Sequence, residues 1–353
     1  MSTPEVDVII AVHTVTRPIH RAAASALRGN EARVRVNVVA HNIDPDLIAA
    51  NLGDLLDDER VRLLPFADGI PSPAGPMNHA LDQATAPYFA LLGSDDEFAP
   101  GALDSWLELA RSVDASMVLA RIDRLTSGPD PTPPTRRGRI TDLDPARDRL
   151  SYRSAPLGLV SRKQFPDLRF TEGLFSGEDL EFTAALWFTG SAFAYDRHTP
   201  GYVGHEDEGD RVTSAPRLVR EDFAFLDAIT TSAWFPRLTR RQRTALGVKT
   251  LRVHFFDAVL NRLDAPGDFE STRVALLEVL GTLTTVFPGA VAYLARCDRK
   301  VIDALRRGPM DTAEVRRLIG ARWGGGADAL LTRNPLRSLH AQAPFRTLRA
   351  MTI

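Results

Sequence analysis

The stretch Tyr88-Phe89-Ala90-Leu91-Leu92-Gly93-Ser94-Asp95-Asp96-Glu97-Phe98-Ala99-Pro100 runs from an unbroken apolar segment straight onto adjacent acids. Five apolar residues in a row suit a strand buried on both faces, and the carboxyl ends of such strands are where open α/β sheets take their ligands. Carboxylates fixed at a strand end are also what a hard divalent cation needs in order to bridge protein to phosphate, because such cations take oxygen ligands. The segment reads as a metal and diphosphate corner, with Ser94, Asp95 and Asp96 as its candidate contacts.

On either side the pattern alternates. Val6 to Val12 is a short apolar run suited to a buried strand, Arg17 to Leu27 reads as a helix, and Val34 to Ala40 is a β-branched strand. Pro45 to Leu56 reads as a helix with proline at a tolerated first-turn position, and Val61 to Leu64 as a strand. A helix over Pro76 to Thr85 leads into the quoted strand, followed by a helix over Gly101 to Arg111 and a strand over Ser116 to Ile122. This order predicts an α/β fold, a Rossmann-like and mostly parallel sheet with helices on both faces. His13-Thr14 and His41-Asn42 then fall, like Asp95-Asp96, at carboxyl ends of strands.

From Thr126 to Leu150 the periodicity breaks, with Pro129, Pro131, Pro133 and Pro134 close together, which predicts a mobile surface loop. Periodicity resumes with Leu157 to Val160, a helix over Asp179 to Thr189 and a strand over Ser191 to Tyr195. Beyond Ser214 strands become scarce. Val219, Phe223, Leu226 and Ile229 recur at helical spacing, as do Val248, Leu251, Phe255 and Ala258, and then Leu276, Leu280 and Leu283. An α/β body at 1–215 followed by a helical domain at 216–353 is the expected organisation.

The 353 residues, 44% hydrophobic and 25% charged, have room for two cores. No apolar run approaches the roughly 18 residues that span a bilayer. Met1 to Val12 lacks the layout of a secretion signal, and Cys297 is the sole cysteine, so a reducing cytoplasm is the expected setting. Charge is uneven: residues 216–353 carry 22 Lys and Arg against 13 Asp and Glu, which leaves 21 against 32 in residues 1–215. A basic surface concentrates anionic partners, though scattered solvated arginines would produce the same count. Without a zinc pattern or an aromatic-basic strand, nucleic acid is not an expected partner.

Four pieces in order resemble the family 2 glycosyltransferases of GT-A fold: Val8-Ile9-Ile10-Ala11-Val12-His13, the loop from Gly69 to Asn78, Leu91 to Asp96 with Pro100, and Leu168 to Asp179. The resemblance covers about residues 5 to 215 and extends to cell-envelope polysaccharide and teichoic-acid-type transferases. It implies a GT-A catalytic domain with a nucleotide-sugar half at 1–122, the Pro/Arg-rich loop at 126–150 and an acceptor half at 151–215. It also implies an inverting transfer from a nucleotide-sugar donor, a UDP-sugar first among them, with Mn2+ or Mg2+. On the matching positions His13, Thr14, His41, Asn42, Asp68 and Asn78 would contact the nucleotide, together with Ser94 and Asp95. Asp96, Asp95 and His205 would hold the cation and Arg211 the diphosphate. Asp179 would be the base that takes the acceptor proton, beside Glu178.

Three departures from the family pattern stand out. His41-Asn42 replaces the acid at the second strand end, where Asp44 or Asp68 could substitute; Met77-Asn78 replaces an Arg-Asn pair; and Gly93 replaces the first acid of Asp-x-Asp-Asp. Both acidic pairs also suit plain helix starts. The expected acceptor is a saccharide, a polymer or a lipid-linked sugar at the inner face of the membrane, with peripheral membrane contact as a further expectation; the C-terminal helical stripes suit either packing on the catalytic domain, the favoured reading, or oligomer formation. Two other functions fit the same shape. One is a non-catalytic binding or assembly protein, and the other a sugar-phosphate nucleotidyltransferase, against which the absence of glycine from residues 13 to 20 argues.

Overall fold

The computed structural model describes residues 3–199, 201–205, 217–264, 269–309 and 311–351. The chain divides into two units: Met1–Asp130, Arg139–Leu143 and Ser154–Ser214 form the first, and Pro131–Gly138, Asp144–Arg153 and Ala215–Ile353 the second.

The first unit opens with β1 (Val6–Val12), α1 (Ile19–Leu27), β2 (Val34–His41), α2 (Pro45–Leu52), β3 (Val61–Phe66), α3 (Ala74–Gln83) and β4 (Tyr88–Leu91). It continues through β5 (Glu97–Phe98), α4 (Ala102–Val113), β6 (Met117–Ala120), β7 (Ile122–Arg124), β8 (Gly128–Pro129), β9 (Gly158–Ser161), α5 (Glu178–Thr189), β10 (Phe193–Asp196) and β11 (Tyr202–Gly204). Seven strands form one sheet in the order β10-β6-β9-β4-β1-β2-β3. All its pairings are parallel except those of β9, which runs antiparallel to both β4 and β6. β1 and β2 are buried along almost their whole length, as a sheet covered on both faces requires. On α4 the stripe Leu103, Trp106, Leu107 and Ala110 is buried, with Trp106 edge-on to Phe98 at 5.2 Å. Asp104 of the same helix accepts the N–H groups of Glu31 (2.7 Å) and Ala32 (2.8 Å), tying α4 to the turn before β2.

Two expectations are corrected here. Ser116 to Ile122 is not one strand: Arg121 separates β6, in the large sheet, from β7, which joins a second sheet of order β5-β11-β7-β8. Nor is the proline-rich segment a free surface loop. Its residues 131–138 and 144–153 belong to the second unit, where Asp148 is fully buried. The Asp148 carboxylate accepts from Arg136 Nε (2.8 Å) and Nη2 (2.6 Å) and from the N–H groups of Arg136 (2.9 Å) and Asp144 (2.7 Å). Burial works its pKa upward, but these bonds outweigh it and hold the carboxyl below its ordinary value. The remainder of the second unit is helical, and the residues with helical spacing in the sequence turn inward: Val219, Phe223, Leu226, Ile229, Val248, Leu251, Phe255, Leu276, Leu280 and Leu283 are all buried. Helix Arg240–Lys249 starts on a capping box in which Thr239 Oγ1 accepts Gln242 N–H (3.3 Å) and Gln242 Oε1 accepts Thr239 N–H (3.0 Å).

At the amino ends of the strands lies a buried ion pair. Asp7 stands opposite Arg35 in the β1–β2 register and takes two parallel bonds from it, from Nε at 2.6 Å and Nη2 at 2.8 Å. It also accepts from Asn37 (3.0 Å) and from the N–H groups of Thr85 and Ala86 (both 2.8 Å). Burial pushes the Asp7 carboxyl upward, yet Arg35 and the other donors carry it below its ordinary value of 3.8. The stabilisation from its charged form is therefore complete above that value and is lost as pH falls through the lower, folded-state pKa. Replacing Asp7 by Ala strands the Arg35 guanidinium and is expected to cost about 3–5 kcal/mol at neutral pH. Urea unfolding of both proteins across acidic pH checks this: the difference should shrink below the ordinary carboxylate range, and a pH-independent difference would contradict it.

Candidate active site

The carboxyl ends of β1, β2 and β4 open on a cleft of about 1080 Å³ within the first unit. Its floor is Ala11, Val12 and Gly93 to Asp96; the loop running into α3 (Gly69 to Met77) forms one side, and Ile122, Arg124, Tyr202, Gly204 and His205 form another. The exposed ring of Phe175 and the side of Glu178 complete the wall.

The centre of this site is Asp96. A tight turn brings its N–H to the Gly93 carbonyl (3.1 Å). Its Oδ2 accepts a short hydrogen bond from the Tyr202 hydroxyl, which in turn accepts the Gly93 N–H (3.0 Å), and its Oδ1 accepts the His205 N–H (2.8 Å). Burial raises the pKa of Asp96, against the pull of the Tyr202 and His205 bonds. The fully buried Tyr202 phenol is pushed well above its ordinary value, first by burial and then by the Asp96 charge, so it stays a donor. Gly93 is a glycine for a steric reason: a Cβ there would stand 2.6 Å from Asp96 Oδ2 and 3.0 Å from the Tyr202 hydroxyl. The room that the family's first acid would need is filled by a phenol serving Asp96.

Around this centre lies a charged ring. Asp95 pairs with Arg17, and its carbonyl accepts from Arg21. Glu97 accepts from the His205 ring (Nε2 to Oε1, 2.8 Å) and pairs with Arg28 (3.3 Å) and Arg21 (3.5 Å). At the end of β2, His41 Nε2 meets Asp68 Oδ1 at 2.8 Å, and its ring stacks on Phe66 with centroids 5.9 Å apart. Asn42 takes a left-handed backbone, φ 54°, which its side chain tolerates; its Oδ1 accepts the N–H groups of Asp68 (3.0 Å) and Gly69 (2.9 Å). Burial works upward on the Asp68 carboxyl, but bonds from His41, the Ile70 N–H and Asn42 hold it below its ordinary value. The second strand end thus does carry a carboxylate, supplied from the next loop.

Of the residues expected from sequence, His13, His41, Asn42, Asp44, Ser94, Asp95, Asp96, Glu178 and His205 line the cleft, whereas Thr14, Asp68, Asn78 and Asp179 do not. Asn78 is a buried tie: it donates to the Phe170 carbonyl (3.0 Å) and Glu172 (2.9 Å) and accepts the Phe170 N–H (2.8 Å). Asp179 sits in the first turn of α5, one residue beyond Glu178. Tyr202 to Gly204 form strand β11, parallel to β7 and antiparallel to β5, and this pairing is what delivers Tyr202 and His205 to Asp96. Arg211 lies outside the described residues. Sequence reasoning missed Arg17, Arg21, Glu97 and Tyr202. The two arginines four residues apart, just after the first strand, were a visible signal for a charged ring; nothing local marked the tyrosine.

Among the described residues no three His, Cys, Asp or Glu side chains gather to hold an ion. The expected partners of Asp96 are engaged elsewhere, Asp95 with Arg17 and the His205 ring with Glu97. What remains on the cleft floor is Asp96 itself, a half-buried carboxylate held by the Tyr202 hydroxyl and the His205 N–H. That donor set fits a Mg2+- or Mn2+-type ion shared with substrate phosphates, which needs only one or two carboxylates from the protein, and does not fit an all-protein cage.

Residues 7–167 match the family model Glycosyl transferase family 2. No curated protein sequence matches the chain. Among solved structures, S. aureus TarS 1–349 in complex with UDP-GlcNAc superimposes with a TM-score of 0.72 at 17% identity, over 91% of this chain and 92% of that one. The UDP complex of the same fragment gives 0.68 at 16% identity, over 91% and 92%. A longer S. aureus TarS structure gives 0.67 at 15% identity, over 90% of this chain and 55% of that one. At these identities the structural likeness establishes the GT-A-like fold with its helical C-terminal region. The family match over residues 7–167 supports a glycosyltransferase that resembles the family 2 enzymes.

The Asp96 corner predicts the effect of two substitutions. Tyr202→Phe leaves the Gly93 N–H and Asp96 Oδ2 without their partner and is expected to cost about 1–3 kcal/mol in chemical denaturation. Gly93→Asp, which restores the family's first acid, should destabilise the fold and lower activity; unchanged stability in this variant would contradict the steric account.

Proposed function

We propose that this glycosyltransferase is inverting and metal-dependent, moving a sugar from a UDP-sugar to an acceptor hydroxyl in cell-envelope or polysaccharide synthesis. The observation that carries the reading is Asp96: a half-buried carboxylate, held by Tyr202 and the His205 N–H, and open to a cleft large enough for a nucleotide sugar. The donor assignment draws on the UDP-GlcNAc and UDP complexes of S. aureus TarS.

In this reading His13, His41 and Asn42 flank the nucleotide, with Asp68 fixing His41 and Asn42 in place. Asp96 would hold Mn2+ or Mg2+ together with the donor diphosphate, and Asp95 and His205 would join it as further ligands on release from Arg17 and Glu97. A bound ion there supplies positive charge to the departing nucleoside diphosphate without a proton transfer. Arg17, on the cleft wall, and Arg211 carry additional positive charge toward the diphosphate. The acceptor oxygen attacks the anomeric carbon from the face opposite the diphosphate and the bond to the diphosphate breaks. Asp179 takes the acceptor proton, while Glu178, on the cleft wall, orients it or binds the acceptor. The acceptor is a saccharide, a polymer or a lipid-linked sugar, met at the cytoplasmic face of the membrane.

A panel of nucleotide sugars with manganese, read out as nucleoside diphosphate release, tests donor and activity together. Release should be greatest with UDP-sugars and vanish on chelation. Asp96→Ala should lower kcat by about 10²–10³. Asp179→Asn should lower it by about 10²–10⁴, with Glu178→Gln acting mainly on the KM of the acceptor. Full activity in Asp179→Asn combined with loss in Glu178→Gln would transfer the base to Glu178. Nucleotide binding without turnover of any donor would overturn the catalytic reading.

A further inference from the structure

The last two helical elements of the second unit have their polarity inside out. In the 3-10 helix Pro335–Leu339 and the helix Pro344–Met351, the residues that turn inward are Ser338, Pro344 and Thr347. The large apolar ones face water: Leu336 is 80% exposed, Leu339 70%, Leu348 45% and Phe345 39%. A helix of a water-soluble domain buries its large apolar stripe, so this arrangement needs a different solvent on its outer side. The spacing reinforces it, since residues three apart eclipse in a 3-10 helix and share a face in an α-helix, pairing Leu336 with Leu339 and Phe345 with Leu348.

Charge says which solvent. Arg337, Arg346 and Arg349 alternate with these apolar residues and are exposed, Arg333 beside them pairs with Asp303, and no Asp or Glu occurs from residue 329 to 353. A second copy docking through the same patch in a two-fold dimer would set arginine against arginine. A soluble polyanion would satisfy the arginines and leave the leucines wet. An anionic bilayer surface satisfies both, taking apolar side chains at the headgroup boundary and cationic ones among the phosphates. The segment is also well anchored to its own unit: Gln342 Nε2 donates to the Ala146 carbonyl (2.5 Å), the Ala341 carbonyl accepts Arg149 Nε (2.7 Å), and His340 stacks on Tyr293 at 4.1 Å. Among the described residues no helix is long and apolar enough to cross a membrane. We propose that residues 336–349 form a peripheral docking face for anionic lipid, with Leu336, Leu339, Phe345 and Leu348 as the inserting groups and Arg337, Arg346 and Arg349 as the headgroup contacts.

The proposal stands apart from the transferase reading and is tested without turnover. The full chain is sedimented with vesicles of phosphatidylcholine alone and of equimolar phosphatidylcholine and phosphatidylglycerol. Binding to the anionic vesicles should be at least about tenfold tighter and weaken with salt. Arg346→Gln with Arg349→Gln should lower it about 10- to 30-fold, and Leu336→Asp with Leu339→Asp should abolish it. All these positions face water, so the thermal midpoint and the donor hydrolysis rate should be unchanged in both variants. Equal binding to both vesicle types, or none to either, overturns the proposal. Self-association by light scattering that is lost in the leucine variant would assign the face to a second copy. Polyphosphate binding insensitive to the leucine variant would assign it to a soluble polyanion; either result overturns the bilayer assignment.

Discussion

One carboxylate sets the geometry of the cleft. Asp96 reaches back to Gly93 through its own turn and sideways to β11 through Tyr202 and the His205 main chain, so a single side chain ties the end of β4 to the second sheet. Burial disfavours the charged form of a carboxylate, and the raised pKa of Asp96 expresses that burial against the pull of Tyr202 and His205. The fold holds this group desolvated at the mouth of the sheet, which is the condition under which an added charge counts most.

The two ends of the sheet contrast. At the amino ends Asp7 is as buried as any residue in the chain, but Arg35, Asn37 and two N–H groups satisfy it completely, and it serves stability. At the carboxyl ends Asp96 accepts, among the described residues, a phenol and one N–H on its two oxygens, while Arg17, Arg21 and Arg28 are engaged by Asp95 and Glu97. The same residue type is thus locked to an arginine at one end of the sheet and faces the cleft at the other.

Much of the first unit was legible because buried parallel strands must be written as continuous apolar runs, and β1, β2 and β4 are. The acidic corner was legible for the same reason, as an abrupt end to such a run. What escaped depends on contacts distant in sequence. Arg121 looks like any residue inside an apolar stretch, and only the second sheet explains why the chain changes partners there. Tyr202 finds Gly93 and Asp96 more than a hundred residues away, so the reason for Gly93 was invisible and it read as a lost acid. The prolines before residue 135 correctly announced irregular backbone, but not that Arg136 and Asp148 would neutralise each other and allow that backbone to be buried. Helical stripes in the C-terminal third were read correctly wherever the large apolar face turns inward; at Pro344–Met351 the periodicity is equally clear and the burial is reversed.

The account rests on Asp96 joining a cation to a diphosphate. Calorimetric titration of UDP into the protein, with and without Mn2+, tests it most directly when repeated on Asp96→Asn, which keeps an acceptor for the Tyr202 hydroxyl but removes the charge. The predicted result is UDP binding that Mn2+ strengthens by at least about tenfold in the native protein and leaves unchanged in the variant. Equal strengthening in both, or none in either, would contradict it.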